Sequence, residues 1–163
     1  VAVAGTPVVQ FYEWNKSIVH QAERFQEGRV AAELMKPVFD LIALDMMRTE
    51  DKMFSSQGRR YGGMWKPLAP STVYKKGHST ILVDTGALRR SLTTPEAPYQ
   101  ILNIDNEGIL FGTSRPWAYV HQYGSRDGHV PKRTFLDFRI QDFVRWQDMM
   151  MRHLMRPFNV HAG

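Results

Sequence analysis

Asp84-Thr85-Gly86 is the tripeptide with which an aspartic protease presents a carboxylate, and that chemistry needs two carboxylates sharing one proton. The chain has no second Asp-Thr-Gly, and the residues after Gly86 pattern as a helix. Six histidines are present: His20, His78, His121, His129, His153 and His161. None forms the helical zinc pair with an intervening glutamate. His121 and His129 could converge with Asp127 on a metal. The alternative is a His121 packed against the sheet and bonded to backbone, with His129 exposed. Thr113-Ser114 has no evident base partner, and the chain has no nucleophile elbow, phosphate loop or dinucleotide fingerprint. Cysteine is absent, so disulfides, thiolate metal sites and cysteine nucleophiles are excluded. The expectation is a protein without catalytic centre, metal or cofactor.

A second group of residues is suited to contact. The formal charge is +5. Residues 1–54 carry a net −2, residues 55–92 a net +6 and residues 93–163 a net +1. The middle third holds Arg59, Arg60, Lys66, Lys75, Lys76, Arg89 and Arg90, with only Asp84 opposing them. Tyr61, Trp65 and Tyr74 interleave with these cations. Single-strand nucleic-acid binders use that mixture, with bases stacked on rings. Protein interfaces use it too, being enriched in Tyr, Trp, Met and Arg. Arg59, Arg60, Tyr61, Trp65, Lys66, Lys75, Lys76, Arg89 and Arg90 are the contact candidates. A solvated loop surface would also account for the charge.

These residues need elements to hold them. Val8 to Trp14 is rich in β-branched and aromatic residues and reads as a short strand. Ser17 is a cap for a helix reaching Gly28. Arg29 to Phe54 has a helical period through Val30, Leu34, Val38, Leu41, Ile42 and Met46. Pro37 predicts a kink, or a helix that begins there, since proline suits the first turn. Residues 55–70 hold three glycines and two prolines and read as a long loop. Short helices are expected over Ser71 to Lys76 and, capped by Asp84 or Thr85, over Gly86 to Leu92. Tyr99 to Asp105 and Ile109 to Gly112 read as a hairpin about Asp105-Asn106-Glu107-Gly108. Pro116 to Tyr123 is compatible with a helix ended by Gly124. A last helix is expected over 137–155. Its apolar stripe would be Ile140, Phe143, Val144, Met150 and Leu154, with Trp146 near it. Its solvated or partner-facing side would be Arg139, Asp142, Arg145, Asp148 and Arg152. The fold class is α+β: a small antiparallel sheet packed with several helices, in a single domain spanning 1–163 with one long extended loop.

Three segments in order carry a resemblance. They are Ile81-Leu82-Val83-Asp84-Thr85-Gly86-Ala87-Leu88-Arg89-Arg90-Ser91-Leu92, then Phe111-Gly112-Thr113 with Tyr119 to Gly124, then Val130-Pro131-Lys132-Arg133-Thr134-Phe135-Leu136. Together they resemble the virion-morphogenesis and tail-completion family of Mu-like and lambda-like tailed phages. Trp65-Lys66-Pro67-Leu68 resembles the segment that precedes the first element in the Mu-like branch. Thr134 stands where the family often has proline. The residues that match the pattern are Asp84, Thr85, Gly86, Leu88, Gly112, Gly124, Pro131, Arg133, Phe135 and Leu136. Gly112 and Gly124 would hold special backbone geometry or a close approach. Phe135 and Leu136 would anchor the core, and Leu88 and Leu92 would lie one turn apart on a buried side.

The resemblance implies a non-enzymatic structural protein of the phage neck or tail top. It would form a homo-oligomeric ring, a hexamer or a dodecamer, at the head–tail junction. Partners would be neck, tail-terminator and connector proteins, with genomic DNA passing through the lumen. The alternative is a small basic nucleic-acid-binding module. No apolar run approaches the roughly 18 residues of a membrane span, and the N-terminus has no signal-peptide pattern. The expected location is the virion, after synthesis in the host cytoplasm.

Overall fold

Helix α1, Lys36–Ser55, begins where proline permits. Pro37 is its second residue, a position where a missing N–H costs no hydrogen bond. The carbonyl of Met35 accepts from Val38 and Phe39. The free N–H of Lys36 is satisfied from far along the chain, by Asn106 Oδ1 at 2.9 Å. A computed structural model describes residues 8–10 and 34–159. The expected Ser17–Gly28 helix, residues 29–33 and residues 11–14 of the expected strand lie outside the described residues.

The buried side of α1 is set by Val38, Phe39, Ile42, Ala43, Met46, Met47, Met53 and Phe54. Steps of three and four keep these on one face. Leu34 and Leu41, assigned to that stripe from the sequence, are exposed. Leu41 lies about half a turn from Phe39 at 100° per residue, so both cannot face inward.

After α1 the chain reverses. Gly58, in the left-handed region at φ 85°, donates to Met53 O at 3.1 Å. A short 3-10 turn, Arg59–Tyr61, follows within the 55–70 connection. Two further short helices are α2, Pro70–Lys76, and α3, Ala87–Thr93. The hairpin is as expected: β2, Gln100–Ile104, and β3, Ile109–Thr113. Asp105 Oδ1 accepts from the N–H groups of Glu107 and Gly108, which closes the turn. The short strand β1, Val8–Gln10, joins the sheet in the order β1-β3-β2. Central β3 is accordingly the more buried strand. Helices α4, Ala118–Tyr123, and α5, Ile140–Asn159, complete the described elements.

The described chain divides into two compact units. One comprises 8–9, 46–101 and 112–137; the other comprises residue 10, 34–45, 102–111 and 138–159. In the first, the Phe54 ring meets Trp65 edge-on at 5.6 Å and Phe135 at 6.1 Å. In the second, Phe138 contacts Trp146 at 4.8 Å and Phe111 at 6.3 Å.

Helix α5 departs from expectation in start and in face. It begins at Ile140, because Asp142 Oδ2 accepts from the N–H of Arg139 and caps it there. Asp142, expected on a solvated side, is fully buried and pairs with Arg145 at 2.9 Å. Asp45 completes the group, accepting from Arg145 at 2.6 Å and from Trp146 Nε1 at 2.7 Å. Burial alone would lower the Arg145 guanidinium, but the two carboxylates more than offset it and raise its pKa. With Asp142 inside, the buried stripe is Trp146, Met150 and Leu154, while Ile140 and Val144 are exposed.

A Cβ at Gly58 would sit 2.5 Å from Trp65 Cδ1, in addition to the left-handed backbone. Gly58→Ala should therefore cost about 3 kcal/mol of stability, seen as a lower urea midpoint at unchanged slope.

Candidate functional site

The cleft lies wholly in the first unit, and three short helices with their flanking turns build it. Helix α2 starts with Pro70 and ends at Gly77, whose N–H donates to Val73 O. Its last residue, Lys76, donates from Nζ to Thr80 O at 2.7 Å. The chain then passes Leu82 at φ 56° and Gly86 at φ 74° into α3. Gly86 is the N-cap, and Asp84 makes no capping bond. Thr85 Oγ1 accepts only a long 3.4 Å bond from Ala87 N–H. The expected carboxylate cap is thus replaced by a left-handed glycine. A Cβ there would meet Arg90 Nη1 at 2.9 Å.

On the other side, Trp117 is the N-cap of α4 at φ 70°, a conformation unusual for a bulky residue. Its indole is 75% exposed. From α4, Gln122 reaches the 135–136 backbone. Its Nε2 donates to Leu136 O at 2.7 Å, and its Oε1 accepts from Phe135 and Leu136 N–H at 3.0 and 3.1 Å. Gly124, at φ 87°, approaches the Val130–Lys132 backbone so closely that a Cβ would lie 3.2 Å from Lys132 N. His121 O accepts from Arg133 N–H at 2.8 Å.

These elements enclose a cleft of about 380 Å³. Its cations are Lys76, Arg115 and Arg133; Asp84 is the one carboxylate among its described lining residues. Leu68, Leu82, Leu88, Pro116 and Trp117 supply apolar walls, and His121 contributes a ring. The three sequence segments that carried the resemblance therefore meet here, through Asp84 to Leu88, His121 and Arg133.

Arg133 is only 6% exposed. Its Nε donates to Lys66 O at 2.8 Å and its Nη2 to Pro67 O at 3.1 Å. Among the described residues no carboxylate lies within ion-pair distance of it. Burial lowers its pKa. His121 Nδ1 is enclosed without a hydrogen-bond partner. Burial, and then the neighbouring Arg133 charge, lower the His121 pKa. Burial also lowers Lys76, opposed by Asp84 and reinforced by Arg133. Such a cleft can bind an anion. No second carboxylate stands among the described lining residues. Among the described residues no cluster of three His, Asp or Glu could hold a metal ion.

The model of the phage virion morphogenesis family matches residues 19–155. The chain belongs to this family. It is a phage morphogenesis protein, and the match extends well beyond the 65–138 stretch that carries the motifs. No curated protein and no solved structure matches it. Among the described residues no helix is long and apolar enough to cross a membrane.

The family-motif residues divide by role. Phe135 and Leu136 are core anchors, as expected. Leu92 is fully buried, whereas Leu88 is half-buried at the cleft. Pro131 is half-buried, and Gly112 is a buried position of β3 whose φ is not in the left-handed region. The contact candidates divide too. Trp65 is buried and donates from Nε1 to Thr134 O at 2.8 Å, so it is an internal anchor and not a contact residue. Arg89 is held by Asp51 at 2.6 Å and by Ser55 Oγ. Arg59, Lys66, Lys75 and Arg90 are exposed, Arg60 is half-buried, and Tyr61 lies in the 3-10 turn. The sequence reading missed Arg115, Trp117 and His121 as cleft residues. Arg115 stacks over the Tyr99 ring at 4.7 Å. Tyr119 and Tyr123 form an exposed pair on α4, their rings 4.9 Å apart.

Two outcomes are expected. Gln122→Ala leaves three buried backbone groups without partners and should cost about 3 kcal/mol in urea unfolding. His121 titrates below 6.5 when folded and near 6.5 when unfolded. The unfolded chain therefore holds the proton more tightly. Stability from this group is complete above 6.5 and is lost as pH falls through the folded value. His121→Gln should flatten that loss in urea midpoints measured between about pH 7.5 and about pH 5.

Proposed function

We propose that this chain is a structural, non-enzymatic subunit of the phage neck or tail top, assembling into a homo-oligomeric ring at the head–tail junction. Family membership supports a morphogenesis role. The observation that carries the finer reading is a cationic cleft with exposed Trp117 in its lining, together with the separate exposed pair Tyr119 and Tyr123 on α4. Tyr, Trp and Arg are the side chains that dominate protein interfaces. Two such surfaces on one subunit, each matching a different patch of a neighbour, associate head-to-tail and close into a ring of six or twelve. Neck, tail-terminator and connector proteins would flank the ring. Exposed Arg59, Lys66, Lys75 and Arg90 would face these neighbours, or the DNA passing through the lumen.

The measurement is mass in solution, alone and with the other neck proteins, together with complementation of a phage lacking the gene. Closed rings and headless or tailless defective particles are the expected results. A protein that stays monomeric and never joins heads or tails would overturn the reading, as would complete infectious virions without it. Arg90→Ala should lower assembly while leaving the free energy of unfolding within about 0.5 kcal/mol of the parent.

A second reading has one observation in its favour. Tyr74, 90% exposed, sits beside Lys75 on α2. A stacking ring next to a cation is what a single-stranded nucleic acid uses. That reading requires affinity that falls steeply with salt. Absence of binding at low salt removes it as a primary function.

A further inference from the structure

We propose that the cleft between α2, α3 and α4 is a docking pocket for an acidic segment of a neighbouring protein, whose Asp or Glu carboxylate enters beside Arg133 while an adjacent apolar side chain covers Leu82 and Trp117.

The argument begins with Arg133. A guanidinium does not deprotonate in a protein, so its charge persists although it is 94% buried. Two backbone carbonyls orient it. They contribute partial charge and leave the full positive charge without an anion among the described residues. An ion placed out of water without a counter-charge costs several kcal/mol. Lys76 and Arg115 line the same cavity and add to the excess, which Asp84 only partly offsets. The free cleft is thus electrostatically incomplete, and a carboxylate would complete it. The enclosed His121 Nδ1 is a second unsatisfied group on the same wall.

Volume and lining identify the class of ligand. About 380 Å³ admits one or two side chains. A nucleic-acid phosphate is part of a wide polyanion, and its flanking sugars and phosphates could not follow it to a group so deeply recessed. A free inorganic anion would leave the apolar walls wet. A carboxylate carried on a chain with an apolar neighbour satisfies both.

The backbone supports the same conclusion. Leu82 and Trp117 are non-glycine residues held at positive φ, and both line the cleft. Such conformations are strained and cluster at ligand clamps. At Trp117 the result is a large indole projected into solvent at the cleft mouth, the kind of anchor around which interface hot spots form.

The inference rests on the assembly reading only for the source of the segment. The test uses the full chain. A blocked acidic peptide, acetyl-Leu-Glu-Asp-Leu-amide, is titrated into isotope-labelled protein, with indole and histidine-ring signals followed by NMR. The Gln/Asn version of the peptide, a short single-stranded oligonucleotide and inorganic phosphate serve as parallel probes. Saturable shifts at Trp117 and His121 are expected with the acidic peptide, with about tenfold weaker binding for its amide version and for the variant Lys76→Gln. The His121 pKa should rise on binding, a response a purely structural histidine would not give. The Trp65 indole, bonded inside the core, should stay still.

Three results would overturn the proposal: no saturable shift, equal binding of the amide peptide, or tighter binding of the oligonucleotide or phosphate at the same signals. Because Arg133 also holds the Lys66–Pro67 backbone, its variants confound folding with binding, and Lys76→Gln carries the test instead. Rings that form around a silent cleft would remove this inference and leave the assembly reading standing. A cleft that binds the peptide in a protein that never joins virions would do the reverse.

Discussion

A single buried amide, that of Gln122, ties a short helix of the first unit to the last motif. Helix α4 has six residues, too few to persist without tertiary support. Gln122 supplies that support by pairing with three backbone groups of Phe135 and Leu136. The bond between His121 O and Arg133 N, and the close approach of Gly124 to Val130 and Lys132, shut the intervening loop against the helix. The consequences run outward. Arg133 is placed so that it captures the carbonyls of Lys66 and Pro67, and Trp65 next to them donates to Thr134 O. The indole in turn packs on Phe54 and demands a glycine at 58. One side-chain amide thereby connects the last motif to the end of α1.

The same arrangement explains the electrostatics of the cleft. Arg133 is positioned by carbonyl oxygens, which orient a guanidinium without neutralising it. In the second unit the opposite solution is used, where Asp45 and Asp142 both neutralise Arg145. The two arginines make the contrast clear. Arg145 closes a satisfied network that stabilises α5, and its pKa is raised. Arg133 leaves a surplus of positive charge at a surface opening, and its pKa is lowered together with those of His121 and Lys76. A fold optimised for stability alone would place a carboxylate beside Arg133. None lies within ion-pair distance of it among the described residues, and Leu82 and Trp117 on the same cleft hold positive φ.

Local chemistry made part of this fold legible. Pro37 near the start of α1, the Asp105–Gly108 turn, and the Phe135-Leu136 anchors all rest on residues whose conformational preference or burial needs no distant partner. Rotational setting was harder. Leu41 and Phe39 both fit a helical period, as do Ile140, Val144 and Trp146, and only tertiary contact decides which face turns inward. Asp142 looked like surface charge because the Arg145 it pairs with is also held by Asp45, 100 residues away in sequence. The cap of α3 was misread for a related reason: Asp84 and Thr85 have capping chemistry, but the left-handed turn at Gly86 carries them past the helix end. Counting charge along the chain located the +6 segment and missed the cleft, which takes Lys76 from that segment and Arg115, His121 and Arg133 from beyond it.

The errors in helix setting have a common physical origin. Helix α5 carries Ile140, Val144, Met151 and Met155 on exposed positions and Trp146, Met150 and Leu154 on buried ones. Helix α1 likewise exposes Leu41 and Leu44 while burying Phe39 and Ala43. A monomer that works alone has one reason to place apolar residues on a helix, and a single period then reveals the core. A subunit built for assembly has two, because it must fill its own interior and also present surface that another chain will cover. Two superposed periods on one helix cannot be separated from sequence, and the larger residues need not belong to the inner set. The ambiguity of α1 and α5 is what two superposed apolar patterns produce, and both helices lie outside the motif segments.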